Sequence, residues 1–292
     1  MSKLVQFAIL VFTFTISQVT VADGKRQRGF SFLAAGLSLV DYEESSTFRF
    51  NGQTVDVETD SVQLVTQSSG VFVSINDKWG FYLQSSSTLG VPRSSERWEI
   101  NEQQVRTNRV SFEQQDIVLI ATKHISDTSR WLLGGGYQQF EFQRFAAQLT
   151  PSAPAFGIDE AALVDGTVSE VVTYLTGVVG LETSTLFDSN LKGWRYRAQA
   201  VLTVPALTTI NNTSVAQGRS FSQSLNGAGL ILNGTIGYQL NNSILIGAQL
   251  TARVRHQNAI SREVEGIGGQ TRFPETRFVS IQPAFTAYWS FQ

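Results

Sequence analysis

The chain contains no cysteine, one methionine, two histidines and six prolines among 292 residues. Without cysteine there is no disulfide framework and no thiolate metal site, and two histidines leave little for a transition-metal centre. The formal net charge is −2, so the basic surface that nucleic acid requires is missing. Beyond the N-terminus no run of about 18 apolar residues occurs, so no helical membrane span is expected. A phosphate-binding glycine loop is also missing: Gly266-Ile267-Gly268-Gly269 follows no strand and opens no helix.

The N-terminus reads as a secretory signal peptide. Lys3 supplies the positive start, Leu4 to Ile16 the apolar core, and Thr20-Val21-Ala22 the small-residue cleavage site. The expected division is therefore residues 1–22 as signal peptide and 23–292 as the mature domain.

What the chain does have is alternation. In the last stretch, Arg277 to Gln292, the residues Val279, Ile281, Phe285, Ala287, Trp289 and Phe291 share one face. Phe278, Ser280, Gln282, Ala284, Thr286, Tyr288 and Ser290 share the other. A side-chain period of two is that of a strand. An apolar face on a terminal edge strand invites aggregation in water, whereas a closed barrel in lipid requires it and has no free edge.

Similar segments recur at 29–42, 60–75, 79–89, 110–125, 130–143, 167–183, 193–204, 228–240 and 244–256. In the segment from 193, Trp194, Tyr196, Ala198, Ala200 and Leu202 oppose Arg195, Arg197, Gln199 and Thr203. In the two that follow, Leu230, Leu232, Ile236 and Tyr238 oppose Asn233 and Thr235, and Ile246, Leu250 and Val254 oppose Gln249, Arg253 and Arg255. Segments four to six show no clear phase. Four tight turns, such as Asn76-Asp77-Lys78 and Asn241-Asn242-Ser243, alternate with five long polar stretches. The expected fold is all-β: a closed antiparallel transmembrane β-barrel of about ten strands, short turns on the periplasmic side and long loops outside. Reading Ser46 to Phe50 and Gln53 to Glu58 as strands around Asn51-Gly52 would raise the count to twelve.

Tryptophan placement agrees. Trp79, Trp131 and Trp194 each open a strand after a short turn, and Trp289 closes the last one. Four of the five tryptophans thus fall at one rim, the membrane interface that amphipathic rings prefer. Only Trp98 falls in a long loop. Phe291 joins this lipid-interface set, and Arg277 is phased with the lipid face at the opposite, outer rim, where it would meet lipopolysaccharide phosphates.

The signal peptide, the alternating strands and the aromatic final strand resemble Gram-negative outer-membrane β-barrel proteins. The resemblance implies location in the cell outer membrane, contact with its lipids and lipopolysaccharide, and recognition of the final strand by the barrel-assembly machinery. Phe285, Trp289 and Phe291 occupy the matching phase, with Gln292 as one extra residue. Size and strand pattern are similar to autotransporter barrels in a solitary, porin-like form. With only Asp23 to Arg28 before the first strand, no passenger is expected.

Two stretches carry residue types that hydrolases use. His124-Ile125-Ser126 pairs a base with a hydroxyl but falls at a periplasmic turn. Asp56-Val57-Glu58 would need an acid-histidine partner, and the other histidine, His256, follows Arg255 rather than an acid. No catalytic residue, metal or cofactor is therefore expected. The remaining candidates line the lumen: Arg195, Arg197, Gln199, Asn233, Gln249, Arg253 and Arg255. Arg195 and Arg197 start one ascending strand, and Arg253 and Arg255 end another, so they are expected at different heights. They would either set the selectivity of a narrow passive channel or pair with acids such as Glu170 and Glu182 to fill the lumen. The first functional expectation is a non-enzymatic structural or surface-interacting protein, and the alternative is the channel.

Overall fold

A computed structural model describes residues 29–47, 53–159, 167–186, 193–212, 220–264 and 269–291. The expected signal peptide and the Asn51-Gly52 tip lie outside the described residues. Fourteen strands are present among them: β1 (Gly29–Thr47), β2 (Thr54–Ser74), β3 (Trp79–Leu89), β4 (Arg93–Ile100), β5 (Gln103–His124), β6 (Ser129–Leu149), β7 (Val168–Ser184), β8 (Trp194–Asn212), β9 (Ser220–Ser224), β10 (Ala228–Gln239), β11 (Ile244–Gln257), β12 (Ile260–Val264), β13 (Gly269–Phe273) and β14 (Glu275–Phe291).

Ten of them close a ring in the order β1-β2-β3-β5-β6-β7-β8-β10-β11-β14, and β14 pairs back to β1 from Gly29↔Phe291 to Ser45↔Glu275. Every neighbouring pair is antiparallel. Asn76 makes the β2–β3 turn because its Oδ1 accepts from the Lys78 and Trp79 amides at 2.9 Å each. Asn241 does the same for Ser243 and Ile244 at 2.8 Å.

The alternation becomes two faces of a wall. On β8, Trp194, Tyr196 and Leu202 are 67, 46 and 55% exposed, whereas Arg195 and Arg197 are 1 and 3% exposed. The outward apolar series ends at Leu39 on β1, Val254 on β11 and Val279 on β14, and Asp41, His256 and Arg277 follow. At about 3.3 Å per residue and a tilt of about 40°, the 22 residues of β5 rise about 55 Å, roughly twice the ~25 Å height of a lipid-facing band. The outer half of the wall is therefore a collar that stands clear of the membrane.

That collar replaces most of the five expected loops with strands. β1 runs to Thr47 and pairs with Thr54, so the twelve-strand reading dissolves into two longer strands. β4 continues β3 after a break at 90–92: both pair with β2 on one side and β5 on the other. Gly90, at φ 86°, and Pro92 make the break. Trp98 accordingly lies on β4 and not in a loop. Asn101 and Glu102, at φ 50° and 64°, form the two-residue turn from β4 to β5. β9 continues β10 along β8 across Gly227, at φ 101°. The separate β12–β13 hairpin pairs Ile260 with Phe273, and both side chains are buried in the barrel.

Three clusters fill the interior. The inner one holds Phe30, Phe32, Phe72, Tyr82, Leu132, Leu245 and Tyr288, among others. The outer one holds Tyr42, Phe112, Phe140, Phe142, Tyr174 and Phe278, with Ile260 and Phe273 of the hairpin. A small third cluster, Val55, Val57, Ile100, Val105 and Ala153, supports the tip of the collar.

Candidate functional site in the barrel lumen

The polar side chains of the lumen fall into three groups. The first belongs to the inner cluster. Glu182 on β7 accepts from Tyr82 Oη at 2.9 Å, from Arg197 Nε at 2.9 Å and from Gln199 Nε2 at 2.7 Å. Arg130 lies 3.4 Å from the same carboxylate. Four strands thus converge on one buried acid. Arg195 donates to Gln239 Oε1 through Nε at 2.9 Å and Nη2 at 2.7 Å.

The second group lies further outward, on β3, β5, β10 and β11. Arg253 pairs with Asp116, whose Oδ2 also accepts from Ser86 Oγ at 2.9 Å and Gln114 Nε2 at 2.8 Å. Asn233 Nδ2 and Gln249 Nε2 both donate to Thr251 Oγ1, at 2.7 and 3.2 Å. Just outward, Arg255 stands 4.0 Å from the ring centres of Phe140 and of Tyr174, with Nη1 3.2 Å from Gln138 Oε1. Arg197 and Arg253 thus hold different acids, Glu182 and Asp116, and the four arginines sit at two levels. Of the two acids named from sequence, Glu182 meets a lumen arginine, whereas Glu170 accepts from Asn212 Nδ2 at 2.7 Å.

The third group lies in the collar and was not singled out by sequence reasoning. Arg144 donates through Nε to both Glu96 oxygens, at 2.9 and 3.1 Å, and pairs with Glu44 across the lumen. Asn108 and Trp98 donate to Glu96 as well, at 2.9 and 3.0 Å. Burial pushes the Glu44 carboxyl up to about 7; Arg144 opposes this and the Glu170 and Glu96 carboxylates add to it. Glu96 is also buried, yet the Arg144 charge and its three donors hold it below the usual carboxylate range. Two acids on one guanidinium are thus shifted in opposite directions.

At the periplasmic rim, Trp79, Trp131 and Trp194 are exposed, Trp289 and Phe291 half-buried. Trp194 makes an edge-on contact with Tyr238 at 5.7 Å, and Lys123 Nζ lies 5.6 Å from the Trp79 ring. Arg277 is exposed beside Glu43 at 3.3 Å.

The hydrolase candidates do not assemble. Ser126 Oγ accepts from the Ser129 amide at 3.1 Å and closes the β5–β6 turn. His256 faces outward, and the register row His256–Arg277–Glu43–Glu58 sets it three strand spacings, about 14 Å, from Glu58. Among the described residues no group of three histidines or acids is placed to hold a metal ion.

No family model and no curated protein sequence matches the chain. Among solved structures it is similar to the outer membrane protease OmpT of Escherichia coli, with 8% identity, 94% of this chain and 100% of that chain covered, and a TM-score of 0.60. The transport unit of the E. coli autotransporter AIDA-I (8% identity, 97% of both chains, TM-score 0.43) is also similar. So is the outer membrane protein OprG of Pseudomonas aeruginosa (11% identity, 91% of this chain and 98% of that one, TM-score 0.37). The likeness to OmpT is one of fold: this chain is an outer-membrane β-barrel in architecture, which supports an outer-membrane location.

Proposed function

We propose that the protein is a non-enzymatic outer-membrane barrel with a closed lumen, acting at the cell surface through its collar. The observation that carries this reading is the pair of apolar layers across the lumen. Phe32, Leu132, Leu245 and Tyr288 block the inner end, and Phe112, Phe140, Tyr174 and Phe278 the outer. A narrow passive channel needs a continuous wet path, and the burial of these eight side chains, each at most 3% exposed, argues against one. The pairing of His256 with Glu275, at 3.7 Å, lies on the exposed outer face of the wall and away from the polar groups of the lumen.

In this reading the chain is exported with cleavage after Ala22, its final strand is taken up by the barrel-assembly machinery, and Arg277 touches lipopolysaccharide. An autotransporter-like, solitary barrel fits the same parts list. The collar, raised by strands and stiffened by its own small core, presents its polar tips beyond the lipid. Cells displaying the protein are compared with cells displaying a version cut back at β4, its turn and the outer end of β5, 90–109, for attachment to immobilised matrix proteins and glycans. Attachment that depends on the collar is expected. Equal attachment by cells lacking the barrel altogether overturns the surface role.

A further inference from the structure

Between the two apolar layers the lumen is not filled. A cavity of about 60 Å³ is lined by Asp116, Gln138, Gln199, Asn233, Thr251 and Arg253, with Val118, Ile120 and Val201 as its inner floor. Its roof follows from the alternation. Two positions outward from Gln138 and Arg253 stand Phe140 and Arg255, and two positions outward from Thr176, another lining residue, stands Tyr174. Arg255 sits in the corner those two perpendicular rings make, 4.0 Å from the centre of each.

Asp116 is 4% and Asn233 9% exposed. Among the described residues, Asp116 Oδ1, Asn233 Oδ1 and Arg253 Nε are buried without a hydrogen-bond partner, as is Gln249 Oε1 beside them. Buried polar atoms are rarely left in this condition, and a polar cavity with several of them is where internal water binds. The unmet atoms are three acceptors and one donor, a set that a water cluster meets because each water both donates and accepts. At about 15 Å³ of such space per water, the cavity has room for about four.

We infer that the mid-lumen is a sealed binding chamber for water and solutes of that size, closed by two independent gates. The outer gate is the Phe140–Phe278–Tyr174 layer with Arg255 packed against its rings. The inner gate is the Phe32–Tyr288 layer with Leu132 and Leu245. Asp116, Asn233 and Arg253 hold the contents through their unmet atoms. Passage through the barrel then requires both gates to open, and opening one admits solvent from one side only.

The chain has no cysteine, so a single introduced thiol reports the chamber without background. Thr251→Cys places it on the chamber wall, and Asn101→Cys at the collar turn serves as the exposed control. A charged, membrane-impermeant methanethiosulfonate is added to one side of proteoliposomes of known orientation, and heat-modifiable mobility checks folding. The Thr251→Cys thiol is expected to react more than about a hundredfold more slowly than the control, as a site reached only by local opening. Adding Phe140→Ala and Phe278→Ala should expose it from the outer side alone, and adding Phe32→Ala and Tyr288→Ala from the periplasmic side alone. If the alanine pairs do not fold, the leucine pairs replace them. The inference rests on the closed lumen, and the outcomes separate the two. A fast thiol in the otherwise wild-type barrel overturns the closed lumen itself. A thiol that stays slow in both truncated forms, or that either one exposes from both sides, overturns the chamber alone. A high-resolution crystal structure should show water on Asp116 Oδ1, Asn233 Oδ1 and Arg253 Nε; an empty chamber there also overturns it.

Discussion

Replacing Arg144 by methionine removes a guanidinium and keeps much of its bulk. Arg144, Glu96 and Glu44 are 8, 0 and 7% exposed, so the change leaves two carboxylates buried without their cation, with Glu170 nearby. Removing one partner of a buried ion pair costs about 3–5 kcal/mol, because the other charge stays desolvated. Glu44 is easily protonated, and Glu96 keeps its Asn108 and Trp98 donors. The expected loss therefore lies near the lower figure, about 3 kcal/mol. The triple change Arg144→Met, Glu44→Gln and Glu96→Gln removes all three charges and should recover most of it, since a neutral substitute for a buried pair is often no worse. Reversible urea unfolding from lipid vesicles reads both as midpoint shifts at constant slope. A loss under about 1 kcal/mol for the single variant, within the range of an exposed pair, would refute the buried network as the tie across the collar. So would a triple variant as unstable as the single one.

Glu44 gives a pH signature. Its carboxyl keeps its proton to about 7 in the folded chain, against 4.5 as an ordinary glutamate. Between those values the folded state holds the extra proton, so stability falls as pH rises through the window and is level outside it. Glu44→Gln should flatten that slope in unfolding midpoints taken across the window; an unchanged slope contradicts the assignment. Gly227→Ala sets a Cβ 2.0 Å from the His256 carbonyl oxygen at φ 101°, and unfolding should show a loss above about 1 kcal/mol. Gly234→Ala meets nothing within 4 Å and should stay within about 0.5 kcal/mol in the same assay. Arg277→Ala should lower the lipopolysaccharide that co-purifies with the barrel; equal retention would remove Arg277 from the lipid contact.

The parts of the fold legible in the sequence are those where the two faces of a strand meet different solvents. On β8, β10, β11 and β14, lipid outside and polar groups inside give clean alternation. On β5 and β6 the inward positions carry Ile120, Phe112, Leu132, Phe140 and Phe142, members of the apolar layers. Near Ile120 and Leu132 the outward neighbours Leu119, Trp131 and Leu133 are apolar too and the period of two disappears, whereas around Phe112, Phe140 and Phe142 the outward neighbours are polar and the phase inverts. The collar fails for the opposite reason. Water outside and a hydrogen-bonded network inside make both faces polar, so its strands read as loops. Its β4–β5 turn, Asn101-Glu102, carries no glycine to mark it. Arg144 was invisible because its partners lie 48 and 100 residues away in sequence. Only closure of the barrel brings them together.

Planar-bilayer recording of the refolded wild-type barrel tests directly the proposed closure of the lumen by two layers. A folded barrel that inserts and gives no discrete conductance steps is the predicted result. Reproducible steps that change amplitude or selectivity with Arg195→Ala or Arg253→Ala would contradict it and make the protein a channel.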